Sequence, residues 1–374
     1  MDKGMLLFSP QKTISDLAST VDAVRELAAY QSMVITANLI VEPLLAAFAI
    51  EENVQIRIVM VKALGILKDT RAIKPLLLAL TTDAYPAVRS EAAVALGELG
   101  DVAVVEPLIA ILSDPNENKG DAMDVNVVSS VVSALRKLND ARAVEPLMTA
   151  IERKDDQTRA VIALSLGSFG DIRAVEPLLN LLDDQEPLIR RAAACALGDL
   201  GDRRAVLPLL AALDDPDLET RNSAIKALGF LGDTRAVTPL LFLLKRDYPV
   251  YRRVFIIETL DRLGDREAVP SLITCLLNPQ EELEVRAACI EALGRLGDKR
   301  AVPLLLSTLA ATADDETSEL RWRVAVALGQ IGDTQAIEAL RPYLSDPEPV
   351  MHMAVSTALR QLEIVKAVTM VFEN

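Results

Sequence analysis

This chain of 374 residues has few of the side chains that usually carry chemistry. It contains one histidine, three cysteines, one tryptophan, five tyrosines and seven phenylalanines. The single histidine, His352, cannot build a site of several His ligands, and it stands where other segments carry a regular arginine. We interpret it as a structural substitution. The sequence therefore predicts no metal site and no cofactor.

The three cysteines form neither a disulfide framework nor a zinc-binding pattern. Cys275 and Cys289 occupy positions that are apolar elsewhere in the chain, so we expect them in the core. Cys195 falls at a position of variable polarity and is the candidate for an exposed thiol. Without a histidine nearby in sequence it is a weak nucleophile candidate. No catalytic residue is predicted, which favours a protein that is not an enzyme.

Positive charge is also scarce, since 39 Lys and Arg face 54 Asp and Glu for a net charge of −15. Nucleic-acid binding needs a stripe of Lys and Arg that neutralises phosphates, so this balance argues against it. Residues 1–20 lack the basic and apolar regions of a secretory signal. The apolar stretch 33–50 is interrupted by Glu42 and Pro43, which disfavours a membrane span. We expect a cytoplasmic protein that binds neither nucleic acid nor membrane.

What the sequence does have is repetition. Of its 16 glycines, all but Gly4 and Gly120 occupy two positions of the string A-L-G-x-L-G-D, as in residues 95–101 and 196–202. A second string, R-A-V-x-P-L-L, follows it, as at Arg173. A fixed period of about thirty residues is the signature of a repeat architecture. About ten units are visible from about residue 36 onward.

Each unit reads as a helical hairpin. In residues 171–201, Asp171 is an N-cap and Pro177 fits the first turn of a helix A. Residues 183–187 have the composition of a turn. A helix B follows and ends at Gly201, which tolerates a left-handed conformation. Gly198 inside helix B predicts a close backbone approach. One hairpin cannot bury such faces alone, so we predict an all-α fold, a right-handed α-α superhelix with A helices outside and B helices inside.

These strings resemble the HEAT-like repeats of the phycobilisome lyase family, most closely in Gly-Asp-x-Arg-Ala-Val-Glu-Pro-Leu at residues 170–178. The resemblance implies a solenoid. It also implies an alternative function, as a bilin lyase or chaperone subunit for phycobiliproteins, in which Arg262, Arg295 and Trp322 would hold propionates and rings. Deoxyhypusine hydroxylases are HEAT-like enzymes that bind iron through repeated His-Glu pairs, which this chain cannot supply.

The repeat pattern predicts three segments. Residues 1–35 form a capping helical region, residues 36–363 form the solenoid with a polar loop insertion at 113–126, and residues 364–374 form an apolar extension of the last helix. Terminal repeats usually present a polar outer face. The apolar end therefore predicts self-association through the C-terminal helix.

A regular arginine stands six residues before the Ala of A-L-G in most units, at Arg57, Arg89, Arg159, Arg190, Arg221, Arg253, Arg286 and Arg321. These arginines could form a basic ladder for an anion. We favour a structural role instead, in which each pairs with an Asp of a neighbouring inter-helix turn such as Asp171 or Asp202.

Comparison between units points to one candidate surface. On helix B, the units diverge four residues before, one before and three after the Ala of A-L-G, which is one face of a helix. From Phe230 onward this face gains aromatics and arginines, the composition of a protein-binding hot spot. We call the predicted partner-binding residues the helix B patch: Lys226, Phe230, Phe255, Glu258, Arg262, Glu291, Arg295, Trp322 and Arg323.

Two interpretations of the helix B patch remain open. Some of its aromatics could simply fill space where Ala and Gly are missing, especially around Leu260 and Asp261. The interpretation that we develop is a non-enzymatic scaffold that binds a partner protein on its concave helix B surface.

Overall fold

The computed structural model describes residues 9–113, 122–152, 155–246, 248–278, 280–311 and 318–373, with side chains except at 122–125, 318 and 369–373. Within these residues all regular secondary structure is helical, and 22 α-helices follow one another in pairs. The predicted all-α helical-repeat fold is confirmed. The chain divides into two compact units at the Asp202–Arg203 bond. Of the predicted insertion at 113–126, residues 114–121 lie outside the described residues.

The first compact unit contains six helical pairs. In order, their helices are α1 (Pro10–Asp16), α2 (Asp22–Ser32), α3 (Ala37–Ile50), α4 (Val54–Leu67), α5 (Ile73–Thr82), α6 (Pro86–Leu99), α7 (Val105–Ser113), α8 (Ala122–Leu138), α9 (Val144–Ala150), α10 (Asp156–Phe169), α11 (Val175–Asn180) and α12 (Pro187–Leu200). Odd-numbered helices are the A helices and even-numbered helices are the B helices.

The second compact unit contains five pairs. Its helices are α13 (Val206–Ala211), α14 (Leu218–Leu231), α15 (Val237–Leu244), α16 (Val250–Leu263), α17 (Val269–Leu277), α18 (Leu283–Leu296), α19 (Val302–Ala311), α20 (Ser318–Ile331), α21 (Ala336–Leu340) and α22 (Pro349–Glu373). In both units each B helix packs on the next B helix, and its own A helix covers it from one side.

The repeated motif acts at both ends of the hairpin as predicted. The carboxylate of Asp171 accepts the backbone N–H of Arg173 at 2.9 Å and caps a short 3-10 turn, Ile172–Ala174, that leads into α11. Pro177 then lies in the first turn of α11. At the other end Gly201 has φ +70° and terminates α12. Local capping thus sets where each helix begins and ends.

The glycine inside helix B marks a close approach between neighbouring B helices. A Cβ added at Gly65 would lie 2.8 Å from the Cα of Ala95, and one added at Gly97 would lie 2.9 Å from the Cα of Ala134. The partner is the Ala of A-L-G in the next unit. Small residues on both sides therefore let the backbones pack directly, and the apolar residues around them are fully buried.

The regular arginines do tie units together through acids of the next unit, but Asp171 is not one of those acids. Arg57 pairs with Asp83, and Arg159 pairs with Asp184, each an acid in the turn between helix A and helix B of the next unit. Asp171, named as a partner in the prediction, is instead held by Arg173 at 2.7 Å. The prediction of Asp171 was therefore wrong, because that carboxylate caps its own helix and its adjacent arginine occupies it.

The arginines of this ladder also bind backbone oxygens of their own turn. Arg57 Nη1 donates to the carbonyl oxygens of Phe48 and Glu51, at 3.1 and 2.8 Å. Arg221 Nη1 likewise donates to those of Asp215 and Pro216. Arg57 and Arg221 thus close their own hairpins, and the pair of Arg57 with Asp83 adds a bond to the following hairpin.

The N-terminal pair α1–α2 has no glycine motif, yet it repeats the same arrangement. Arg25 on α2 donates to Glu51 through two nitrogens, at 2.6 and 3.1 Å, and to the carbonyl oxygen of Ser19 at 2.9 Å. Glu51 lies in the turn between α3 and α4. Residues 10–32 therefore form a further pair of the repeat type, linked to the next unit as the others are.

Among the helices that the structure describes, none combines the length and apolar character that crossing a bilayer requires.

Candidate protein-binding surface on the B helices

The helix B patch lies entirely within the second compact unit, on α14, α16, α18 and α20. The three divergent positions of each helix turn one side of it to solvent. The side chain of Phe230 is 47% exposed. Lys226, Glu258, Arg262 and Arg295 are also exposed, whereas Phe255, Glu291, Trp322 and Arg323 are half-buried. The nine residues therefore lie on four successive B helices, five of them exposed and four half-buried.

Phe230 forms the most distinctive contact of this surface. Lys226, one turn earlier on α14, places its Nζ 5.6 Å from the ring centroid, and Arg262 on α16 places its Cζ 4.7 Å from the same centroid. Among the described residues neither cation forms an ion pair with a carboxylate, although the charge of Arg262 acts to lower the pKa of the neighbouring Asp261 carboxyl. An exposed aromatic ring held between two unpaired cations is apolar in the middle and positive at its rim.

The other two arginines of the patch are fixed by carboxylates. Arg295 Nε donates to Asp261 Oδ2 at 2.6 Å, and its Nη1 lies 3.7 Å from Glu291. Asp261 stands where most units carry the first glycine of the motif. Burial raises the pKa of the Asp261 carboxyl, and the bond to Arg295 opposes that shift. The pair therefore holds the exposed Arg295 guanidinium in one position.

Arg323 is held from two sides on α20. Its Nε donates to Glu291 on α18 at 3.0 Å, and its Nη1 donates to Glu319 Oε1 at 2.9 Å. Its Cζ also lies 4.3 Å from the centroid of the Trp322 ring. Glu319 was not singled out from the sequence, although its spacing of four residues from Arg323 is a visible signal. Trp322 is thus a covered ring rather than a free one.

Space between the B helices differs around α16. A Cβ added at Gly229 would lie 3.8 Å from the Cβ of Thr259, whereas elsewhere the added Cβ lies 2.8–3.1 Å from the Cβ of an Ala. Thr259 replaces that Ala, so α14 and α16 approach less closely. The Arg262 Cδ lies 3.6 Å from the same point and fills part of the gap. Space filling therefore explains why the aliphatic part of the Arg262 side chain lies between α14 and α16. It does not explain the exposed ring of Phe230.

The aromatic residues between positions 230 and 255 lie on different helices. Phe230 and Phe255 lie on B helices, but Phe242 lies on the A helix α15 and is exposed there with Arg246 5.1 Å from its ring. Tyr248 lies in the turn before α16. These four aromatic residues therefore do not form one cluster, and only Phe230 and Phe255 belong to the helix B patch.

The other residues weighed as candidate sites are His352 and the three cysteines. His352 is an exposed residue of α22, and the described residues contain no group of three metal-ligating side chains. Cys275 and Cys289 are buried as predicted, and Cys195 is half-buried. The first compact unit also contains a groove of about 860 Å³ that was not predicted from the sequence, and its lining includes Phe48, Leu78 and Tyr85.

Comparison with known proteins agrees with the repeat and leaves function open. The family model for HEAT repeats matches residues 41–122, 119–195, 175–257, 243–319 and 306–372. No curated protein sequence matches the chain. Among solved structures, Kap121p matches at a TM-score of 0.63 with 12% identity, over 95% of this chain and 45% of Kap121p. That likeness shows the fold, and this chain spans less than half of Kap121p.

Two further structures are more similar in sequence. Human deoxyhypusine hydroxylase is 25% identical over 70% of this chain and 96% of its own, at a TM-score of 0.32. The complex of CpcE and CpcF of phycocyanin lyase from Nostoc sp. PCC7120 is 26% identical over 58% of this chain and 94% of its own, at a TM-score of 0.37. Neither TM-score supports an argument about function. On the extent of the family match, this chain belongs to the HEAT-repeat family.

Proposed function

We propose that this chain is a non-enzymatic scaffold that binds a partner protein on the helix B patch. The observation that carries the proposal is the exposed ring of Phe230 between Lys226 and Arg262. An aromatic ring of this exposure is costly to leave in water and gains free energy when a partner covers it. The two cations favour a partner segment that combines an apolar side chain with nearby carboxylates.

The neighbouring arginines support the same proposal through their rigidity. Arg295 and Arg323 are held by Asp261, Glu291 and Glu319, so they lose little side-chain entropy when a partner contacts them. Such fixed guanidinium groups beside an aromatic anchor are typical of interface hot spots. The scaffold thus supplies a preorganised surface, and no step of chemistry is assigned to this chain.

The experiment compares two double variants in affinity capture from the source cell extract, with bound proteins identified by mass spectrometry. Phe230→Ala with Arg262→Glu removes the anchor, and Phe242→Ala with Arg341→Glu changes the same residue types on other exposed surfaces. We expect the first variant to lose a partner that wild type and the second variant retain, while circular dichroism shows all three folded. Equal capture by all three would contradict the proposal.

A third variant separates the helix B patch from the groove in the first compact unit. Leu78 is exposed within that groove, so Leu78→Glu places a charge in it without disturbing a buried side chain. Under the proposal this variant captures the partner as wild type does. Loss of capture by Leu78→Glu alone would move the binding surface to the groove.

The alternative role, as a bilin lyase or chaperone for phycobiliproteins, rests on the sequence resemblance. Of the residues it would use, Arg295 is bonded to Asp261 and the Trp322 ring is covered by Arg323, so only Arg262 is free to meet a propionate. Adding phycocyanobilin to the purified chain tests it directly. A red-shifted and enhanced absorption would favour the alternative, and an unchanged spectrum favours the scaffold.

A further inference from the structure

The groove of about 860 Å³ in the first compact unit lies between two successive A helices. Leu45 and Ala49 of α3 line one side, Lys74 and Leu78 of α5 line the other, and the turn at residues 83–85 lines one end. The volume falls within the range of about 300–1,000 Å³ that is typical of small-molecule sites. Such sites combine a mainly apolar lining with a few polar groups that orient the ligand.

Two lining residues depart from the repeat toward larger apolar side chains. Leu78 is 63% exposed, and Phe242 is the other large apolar residue at this position of the repeat. Further units hold small or polar residues there: Ala110, Thr149, Asn180, Ala211 and Thr274. Tyr85 is 44% exposed and precedes helix B. Most units hold a polar residue at that position: Asn53, Asp155, Glu186, Asp217 and Glu282. Both departures therefore add apolar surface to the same groove, which favours a ligand that covers it.

Lys74 reverses a charge that recurs in the repeat. It lies one turn before Leu78 on α5, so both side chains lie on the same side of the helix. The equivalent position is acidic in five other units: Glu42, Glu106, Glu145, Glu176 and Glu338. The first three of these glutamates pair with an arginine of the next unit, whereas the residue that corresponds to that arginine after α5 is Ala103. Lys74 is exposed and forms no ion pair among the described residues.

The other charged residues of the lining leave Lys74 as the cation that a ligand can reach. Arg57, Asp83 and Glu51 are all held in ion pairs of the arginine ladder. Glu52 forms no ion pair among the described residues, and it lies just beyond the C-terminal end of α3. Lys74 lies in the first turn of α5, so at 1.5 Å per residue it is about 12 Å from the other end of that helix. With a cation at one end and an anion at the other, the groove orients an amphiphilic anion with its charge at Lys74.

We propose that this groove binds a long-chain carboxylate, a small amphiphile whose alkyl chain lies against Leu78 and Tyr85 and whose headgroup pairs with Lys74. The apolar lining supplies most of the binding free energy, because the alkyl chain leaves water. Lys74 selects the sign of the headgroup. The groove lies on the A helices of the first compact unit, whereas the helix B patch lies in the second. The inference is therefore independent of the proposed scaffold function.

The test is isothermal titration of the full chain with dodecanoate and with dodecyltrimethylammonium, both below the concentrations at which they form micelles. Lys74→Glu restores the glutamate of other units, and Leu78→Thr installs a residue type that two other units carry at this position. The matched controls are Lys62→Glu, which reverses an exposed lysine on α4, and Phe242→Thr, which makes the equivalent truncation in the second compact unit. Circular dichroism establishes that all variants are folded.

We expect saturable binding of dodecanoate to one site of wild type, tighter than that of dodecyltrimethylammonium. Lys74→Glu should weaken dodecanoate binding about tenfold, because an exposed attraction becomes a repulsion of similar size, and should reverse the headgroup preference. Leu78→Thr should weaken binding of both amphiphiles, and both controls should bind as wild type does.

Three results would overturn the proposal. One is the absence of saturable dodecanoate binding to wild type, and another is a headgroup preference that Lys74→Glu leaves unchanged. The third is an equal loss of binding in Leu78→Thr and Phe242→Thr. If Leu78→Glu loses the captured partner protein while wild type binds no dodecanoate, the groove belongs to a protein segment instead.

Discussion

Gly167 on α10 lies directly against Ala196 on α12, so closely that a Cβ added to the glycine would stand 2.6 Å from the Cα of that alanine. Gly294 and Ala327 repeat this relationship at 2.7 Å in the second compact unit. The glycine that recurs inside helix B is therefore required by packing. Glycine inside a helix costs about 1 kcal/mol relative to alanine. The position holds glycine nevertheless, because the neighbouring backbone occupies the space that a side chain would need.

This relationship predicts that Gly167→Ala destabilises the chain. A methyl group there must push α10 and α12 apart, and overpacking of this kind costs about 1–3 kcal/mol. The matched variant is Gly229→Ala, whose added Cβ meets side-chain atoms and no backbone, the nearest being the Thr259 methyl at 3.1 Å. Urea unfolding should show a lower unfolding free energy for Gly167→Ala and a much smaller change for Gly229→Ala. Equal effects would contradict the close-approach explanation.

The aspartates that cap the A helices predict how stability depends on pH. Hydrogen bonds from Arg300, first its side chain and then its backbone, lower the pKa of Asp298 to about 2. Asp69, Asp140 and Asp233 have pKa values of about 2 for the same reason. Because the folded pKa lies below the ordinary value of 3.8, these groups stabilise the fold above about pH 4. That stabilisation is lost as pH falls toward 2.

The effect of these aspartates on stability is tested by measuring the unfolding free energy of wild type and of Asp298→Asn between about pH 2 and pH 5. This range brackets the ordinary carboxyl pKa. We expect Asp298→Asn to lose less stability than wild type on acidification. Asp261→Asn is the control of opposite sign, because burial raises the pKa of Asp261 and its contribution to stability is lost as pH rises. Identical pH profiles for wild type and Asp298→Asn would argue against the capping role.

The ladder arginines predict a large contrast between buried and exposed ion pairs. Arg253 Nη2 donates to Glu281 at 2.7 Å, and the Glu281 side chain is 1% exposed. Arg253→Met leaves that carboxylate buried without its cation, which should cost about 3–5 kcal/mol. Arg341→Met breaks the exposed pair with Glu338 and should cost under about 1 kcal/mol. Urea unfolding of both variants compares the two losses of unfolding free energy. A loss for Arg253→Met that is smaller than the loss for Arg341→Met would refute the structural role of the ladder arginines.

Much of this fold could be predicted from the sequence because its information is local. A capping Asp, a Pro in the first turn and a terminal Gly act within a few residues, and the internal repeat confirms them many times. The partner of each ladder arginine was not predictable in this way. Asp171 and Asp184 are equally regular in the sequence, and only the packing of successive hairpins brings Asp184 rather than Asp171 to Arg159.

The candidate surface could be predicted only in part, because some of its contacts join residues that are distant in sequence. Divergence between units located the exposed face of the B helices, and helical spacing placed Lys226 beside Phe230. Contacts between helices, such as that of Arg323 with Glu291, depend on side-chain conformations that no period encodes.

The last helix predicts self-association. α22 spans 25 residues, and Ile364 and Val368 beyond its repeat-length portion are 58% and 50% exposed. We propose that a second copy of the chain covers this face, since exposed apolar side chains in one row favour burial. Light scattering should give a larger mass for the full chain than for a chain ending at Leu362 or carrying Ile364→Glu. Equal masses at high concentration would remove the proposal.

The most direct test of the scaffold role is site-specific crosslinking with a photoreactive phenylalanine analogue. Placed at Phe230 it samples whatever covers the ring between Lys226 and Arg262, and placed at Phe242 it samples a more exposed ring on an A helix. We predict a discrete crosslinked partner from position 230 and none of that mass from position 242. The same products from both positions, or none from position 230, would contradict partner binding on the helix B patch.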